Sequence, residues 1–186
     1  MRYLIILGLY ALVNCSLFGQ TVKPLSNTEA FMDKTGITYK KTFKAIDKVK
    51  ADLGGHDAGT LVVQVLIIEN LTNQSLIKGV KIEYNSRLDK GEYSNFVDID
   101  ELSGLISAIQ TAKTKYYNTE REDYTEIIYN SRAAIKYATF ANAKTSKWTS
   151  LLQVNRYLSN SNFYMDSVAS LDALLAALIK AQELLK

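Results

Sequence analysis

The 186-residue chain holds one histidine and one cysteine, which limits the chemistry open to it. His56 stands in Asp52-Leu53-Gly54-Gly55-His56-Asp57-Ala58-Gly59, where Asp, His and Asp could gather round a metal ion. The spacing fits no known metal motif, and no second histidine completes a site. The same residues suit a hairpin loop, with glycines at positive φ and polar side chains in water. As a general base, His56 lacks an evident orienting partner and nucleophile. Asp98, Asp100 and Glu101, with Asp89 nearby in sequence, could bind calcium. They lack the alternating oxygen ligands and the glycine of a calcium loop. Acidic residues there also stabilise the positive end of a helix.

One histidine and no glycine-flanked serine elbow leave no Ser-His-Asp set. There is no P-loop and no dinucleotide fingerprint. A hydrolase using paired Asp or Glu residues stays open, because proximity in the fold is not visible in a sequence. No catalytic, cofactor-binding or metal residues are assigned.

Binding residues are easier to nominate. Lys34, Lys40, Lys41, Lys44, Lys48 and Lys50 concentrate positive charge in one stretch. Read as a strand, the stretch puts Lys40, Lys44, Lys48 and Lys50 on one face, a stripe for an anionic partner such as lipid headgroups, polysaccharide or nucleic acid. Lysines also guard an edge strand against sticking to its neighbours. Of twelve tyrosines, Tyr116, Tyr117, Tyr124, Tyr129, Tyr137, Tyr157 and Tyr164 crowd the second half with Trp148. Such residues suit binding faces and ordinary strands alike. Asn70 and Asn73 begin sequons that could accept sugars.

The elements that must position these residues repeat. Ile99, Leu102, Leu105, Ile106, Ile109 and Ala112 match Val168, Leu171, Leu174, Leu175, Leu178 and Ala181 at one constant offset. Both sets have helical spacing. At that offset Asp98 falls on Ser167, so each helix gains a capping residue, and Asp98 with Glu101 reads as a capping box. Leu61–Ile68 is a β-branched central strand, Gly79–Tyr84 a half-buried one, and Tyr93–Val97 a short one. In the second half, Tyr124–Asn130 and Ala133–Phe140 form a hairpin turning at Ser131-Arg132. Lys147–Leu158 and Asn162–Asp166 follow as strands. The segment 36–49 fits strand and helix patterns both; its β-branched and aromatic content favours strand. A short helix near Thr28–Thr35, capped by Asn27, precedes it. An α+β fold is expected, with antiparallel sheets and a four-strand-plus-helix unit used twice, over 36–116 and 120–186. This order, taken twice, resembles the topology of Whirly-type single-strand-binding proteins. The resemblance is one of topology alone, with no Whirly sequence motif, and no residue roles are carried over from it.

The first twenty residues read as a secretory signal peptide: a charged start, an apolar stretch from Leu4 to Val13, and a more polar exit. The stretch is too short to span a bilayer, and no later run is apolar enough. Residues 21–35 then form a lead. Cys15, the only cysteine, lies inside the signal. Leu12-Val13-Asn14-Cys15 resembles a bacterial lipobox with Asn14 out of pattern, so Cys15 is either removed with the signal or lipidated. The remainder has no cysteine for a disulfide, a nucleophile or a metal. A net charge of +3 demands no nucleic acid partner. The expectation is an exported protein, periplasmic or secreted, that binds an envelope protein or ligand without catalysis. An anionic-polymer binder is the alternative, and a carboxylate hydrolase the third reading.

Overall fold

The computed structural model describes residues 25–53, 56–117, 119–144 and 147–186, the side chains of 51–58 apart. The signal segment, Cys15, Gly54, Gly55 and the side chain of His56 lie outside what is described.

A short helix α1 (Asn27–Met32) leads into β1 (Tyr39–Leu53), β2 (His56–Asn70), β3 (Leu76–Ser86) and β4 (Glu92–Asp98), then α2 (Ile99–Thr111). The second half runs β5 (Thr125–Asn130), β6 (Lys136–Ala141), β7 (Trp148–Gln153), β8 (Asn162–Met165) and α3 (Val168–Leu185). The strand order is β4-β3-β2-β1-β8-β7-β6-β5. Two antiparallel four-stranded sheets therefore meet at β1 and β8, where a single parallel pair, Asp52 with Met165, joins them. The fold is α+β, and each half ends in the leucine-striped helix its periodicity predicts.

Segment 36–49 is strand from Tyr39 onward, as its composition favours, while residues 36–38 lead into it. Other bounds move. Lys147–Leu158 shortens to β7, and β6 starts at Lys136 because residues 131–135 are needed for the turn, where Ala134 takes φ 70°. His56 lies within β2 rather than in a loop, its backbone paired with Leu53. Gly59 is required as glycine: its φ is +141°, and a Cβ there would sit 2.3 Å from the Asn85 carbonyl oxygen.

One core runs through both halves. Leu61, Val63, Val80 and Ile82 of the first sheet pack with Tyr137, Leu152 and Phe163 of the second. Both long helices press their leucines on this side. Tyr84 and Phe163 meet edge to face across the halves, 5.6 Å between ring centres. Helix α3 is capped by Ser167, whose hydroxyl accepts from the Ser170 N–H, as expected. Its other end is held by Lys78, whose Nζ donates to the Leu185 carbonyl at 3.0 Å, a cation at the negative pole of a helix. A second cluster, Phe31 with Leu66 and Ile68, lies on the opposite face of the first sheet under α1.

Candidate functional site

The acidic cluster does not assemble as its spacing suggests. Asp98 precedes α2, yet its side chain makes no bond to that helix, so the capping box with Glu101 does not form. Its carboxylate, 1% exposed, reaches α1 instead, accepting from Asn27 N at 2.6 Å, Thr28 N at 3.0 Å and Thr28 Oγ1 at 2.7 Å. Ser26, not Asn27, caps α1: its hydroxyl accepts from Glu29 N while the Glu29 carboxylate accepts from Ser26 N. Ser26, Glu29 and Asp98 together satisfy all four N–H groups that begin this helix. Arg132 closes the cluster from the β5–β6 turn. Its Nη2 donates to Asp98 at 3.0 Å and to Asp100 at 2.6 Å, and its backbone N–H to Glu101 at 2.9 Å. The guanidinium is held protonated well above its ordinary value, chiefly by Asp100. A resident arginine supplies the positive charge that the calcium reading would have assigned to a metal ion. Among the described residues no group of three or more His, Cys, Asp or Glu gathers for a metal.

The lysine stripe is split. A β-bulge between Ala45 and Asp47 shifts the register of β1 against β2. Lys40 and Lys44 stand opposite Glu69 and Val65, on the core side. Lys48 and Lys50 stand opposite Val62 and Thr60, on the outer side with Lys41 and Phe43. Four lysines therefore do not share one face. Lys40 pairs with Glu69 at 2.5 Å. Beyond the bridge at Asp52, most of β1 has no strand among the described residues on its outer edge, the place where lysines discourage unwanted pairing.

The outer face of the first sheet carries Phe43, 45% exposed, with Lys81 Nζ 5.6 Å from its ring centre. Lys81 also pairs with Glu83 at 2.6 Å, and Asn85 Nδ2 donates to Glu83 at 3.1 Å. The Glu83 carboxyl is held below its usual value, chiefly by the Lys81 hydrogen bond; burial opposes this and Asn85 adds to it. A carboxylate lowered in the folded state contributes stability above its unfolded pKa and loses it as pH falls through the folded one. Glu83→Gln is therefore expected to lower stability near neutral pH and to match the parent in acid below both values. Urea unfolding across that range reads the difference.

Among the described residues, the second sheet has one face that no long helix covers. Tyr164, Leu151, Ala138 and Ile128 lie opposite one another across β8, β7, β6 and β5, on the face away from Phe163, Leu152 and Tyr137. Ile128 is 45% exposed, and Tyr164 and Leu151 are half-buried. Beside this apolar row runs a polar one: Asn162, Gln153, Lys136 and Asn130. The tyrosines divide accordingly. Tyr117 and Tyr137 belong to the core with Trp148, and burial lifts the Tyr137 hydroxyl to about 12. Tyr124 and Tyr157 are exposed. Of the sequons, Asn70 is buried, its Oδ1 accepting from Thr72 N, while Asn73 accepts from Ser75.

Three cavities stand out. The largest, about 610 Å³, lies between α2 and α3, where Lys113 pairs with Asp172. A second, about 280 Å³, is lined by Phe140, Asn142, Lys147 and Thr149. The third, about 180 Å³, lies where the β3–β4 loop meets the β7–β8 connection and includes Asp89 but not Asp98, Asp100 or Glu101. None of the three brings two carboxylates together. No helix of the described residues is long and apolar enough to cross a membrane.

No family model, no curated protein and no solved structure matches this chain. Local sequence signals do not reveal the apolar row or the third cavity. The row depends on strand register, and the cavity on two loops distant in the chain.

Proposed function

We propose that this chain is an exported, non-catalytic module that binds a protein partner in the cell envelope through the outer face of its second sheet. The observation that carries the reading is the row Tyr164–Leu151–Ala138–Ile128, running across four strands on the face away from the helices. An apolar strip beside three amides and a lysine suits a polypeptide, whose side chains need apolar contact and whose backbone needs hydrogen bonds. The charged, apolar, then polar layout of residues 1–20 supports export. A photo-crosslinking amino acid in place of Ile128 or Leu151 tests this in the native host. One polypeptide adduct is expected from these positions and none from Ser107 or Ala176 on the helix side. No adduct at the sheet positions, or equal adducts at both, overturns the reading.

The anionic-polymer reading keeps one specific support. Lys41, Lys48 and Lys50 share the outer face of the first sheet with exposed Phe43. Under that reading, retention on heparin falls steeply with salt and is lost on reversing those three charges. Retention indifferent to the reversal removes it.

A further inference from the structure

The third cavity is assembled from both halves of the chain. Tyr84, Ser86 and Asp89 come from the end of β3 and its following loop. Ser159, Asn160, Asn162 and Tyr164 come from the turn before β8 and from β8 itself. We propose that this cavity binds a neutral, polyhydroxylated ligand the size of one sugar ring. The inference goes beyond the protein-binding reading and does not rest on it, although Asn162 and Tyr164 belong to the rows of the second sheet.

The cavity's chemistry selects this class. Its polar groups are one carboxylate, two amides, two serine hydroxyls and tyrosine hydroxyls. Amides and hydroxyls both donate and accept, as the hydroxyls of a sugar do. The Asp89 carboxylate accepts from Gly91 N at 3.0 Å, from Asn160 Nδ2 at 3.0 Å and from the Tyr93 hydroxyl. The Tyr93 hydroxyl first, then the Ser86 hydroxyl, the Gly91 N–H and the Asn160 amide hold its carboxyl far below the usual range, so it stays ionised. The same bond pushes the Tyr93 hydroxyl up to about 12. A fixed acceptor costs a ligand little ordering on binding. Asn162 donates to the Tyr164 hydroxyl at 3.4 Å, and its Oδ1 is buried with no partner. The half-buried ring of Tyr164 offers an apolar face for the C–H side of a sugar, while Tyr84, 2% exposed and packed on Phe163 and Tyr93, forms the floor beneath it.

Other classes fit less well. No lysine or arginine lines the cavity, so an anion would face Asp89 without compensation. A hard cation needs several oxygen ligands with charge among them, and Asp89 is the only carboxylate in the lining. The volume is below the roughly 300–1,000 Å³ of sites for larger small molecules. It has room for roughly six waters at about 30 Å³ each.

Nuclear magnetic resonance titration of the whole mature chain with methyl glucoside, methyl galactoside and N-acetylglucosamine tests the proposal. At least one is expected to shift the amides of Ser86–Gly91 and Ser159–Tyr164 at millimolar concentration. Glucuronate is expected to bind more weakly than the neutral sugars. Asn160→Ala and Tyr164→Ala are expected to weaken binding at least tenfold, with the melting temperature of each variant measured alongside. If one variant unfolds, the other carries the test. Shifts absent with all three sugars, mapped elsewhere, stronger with glucuronate, or unchanged in a folded variant overturn the proposal.

Discussion

Replacing Asp98 with alanine is expected to cost about 3–5 kcal/mol of folding stability, from stranded backbone donors at about 1–3 kcal/mol each and lost hydrogen bonds to a charged group. The carboxylate is 1% exposed and accepts from two backbone N–H groups, one hydroxyl and one guanidinium. Removing it strands the Asn27 and Thr28 donors, of which Thr28 is fully buried and out of reach of water. Asp98→Asn is expected to recover little, because its amide end would face a donor. The loss is measured as the shift in urea midpoint at constant slope. Amide exchange gives a local signature: Thr28 to Phe31 lose protection first, because α1 covers the Phe31–Leu66–Ile68 cluster and is held at its start by this residue. A double-mutant cycle with Arg132→Ala isolates the ionic part, and coupling is expected because the two groups share one network.

Phe163→Ala is expected to be comparably damaging, about 3–5 kcal/mol, with a fall in melting temperature on the order of 10 °C. Phe163 is fully buried and packs on Tyr84 from the other half. The deleted ring leaves a cavity where the two sheets face one core, and neither sheet can close it without moving against the other. Calorimetry reads the size of the loss. A cost below about 1 kcal/mol would show that the halves hold together without this contact.

The sequence makes the repeated elements legible because their signals are local. The leucine stripes of α2 and α3, the β-branched run in β2 and the Ser167 cap are each written within a few residues. The role of Asp98 is not, since the N–H groups it binds lie some 70 residues earlier in the chain. The bulge in β1 is hidden for a related reason. Alternation predicts one lysine face only while each residue has one partner, and the extra residue is visible only against β2. The cavity of Asp89 and Asn160 is less legible still, since it requires the closure of both halves.

The meeting of β1 with β8 orders events in time. Neighbouring strands within each sheet are joined by short links and can pair as soon as they are made. The pair that unites the sheets, Asp52 with Met165, spans most of the chain and carries a correspondingly large closure entropy. Assembly is therefore front-loaded with hairpins and ends on the seam. Until the last strand and helix arrive, the apolar side of the first sheet has no α3 to cover it. A nascent chain of this design stays open until α3 is made, and a truncation that removed β8 and α3 would leave the first half incomplete as well as the second.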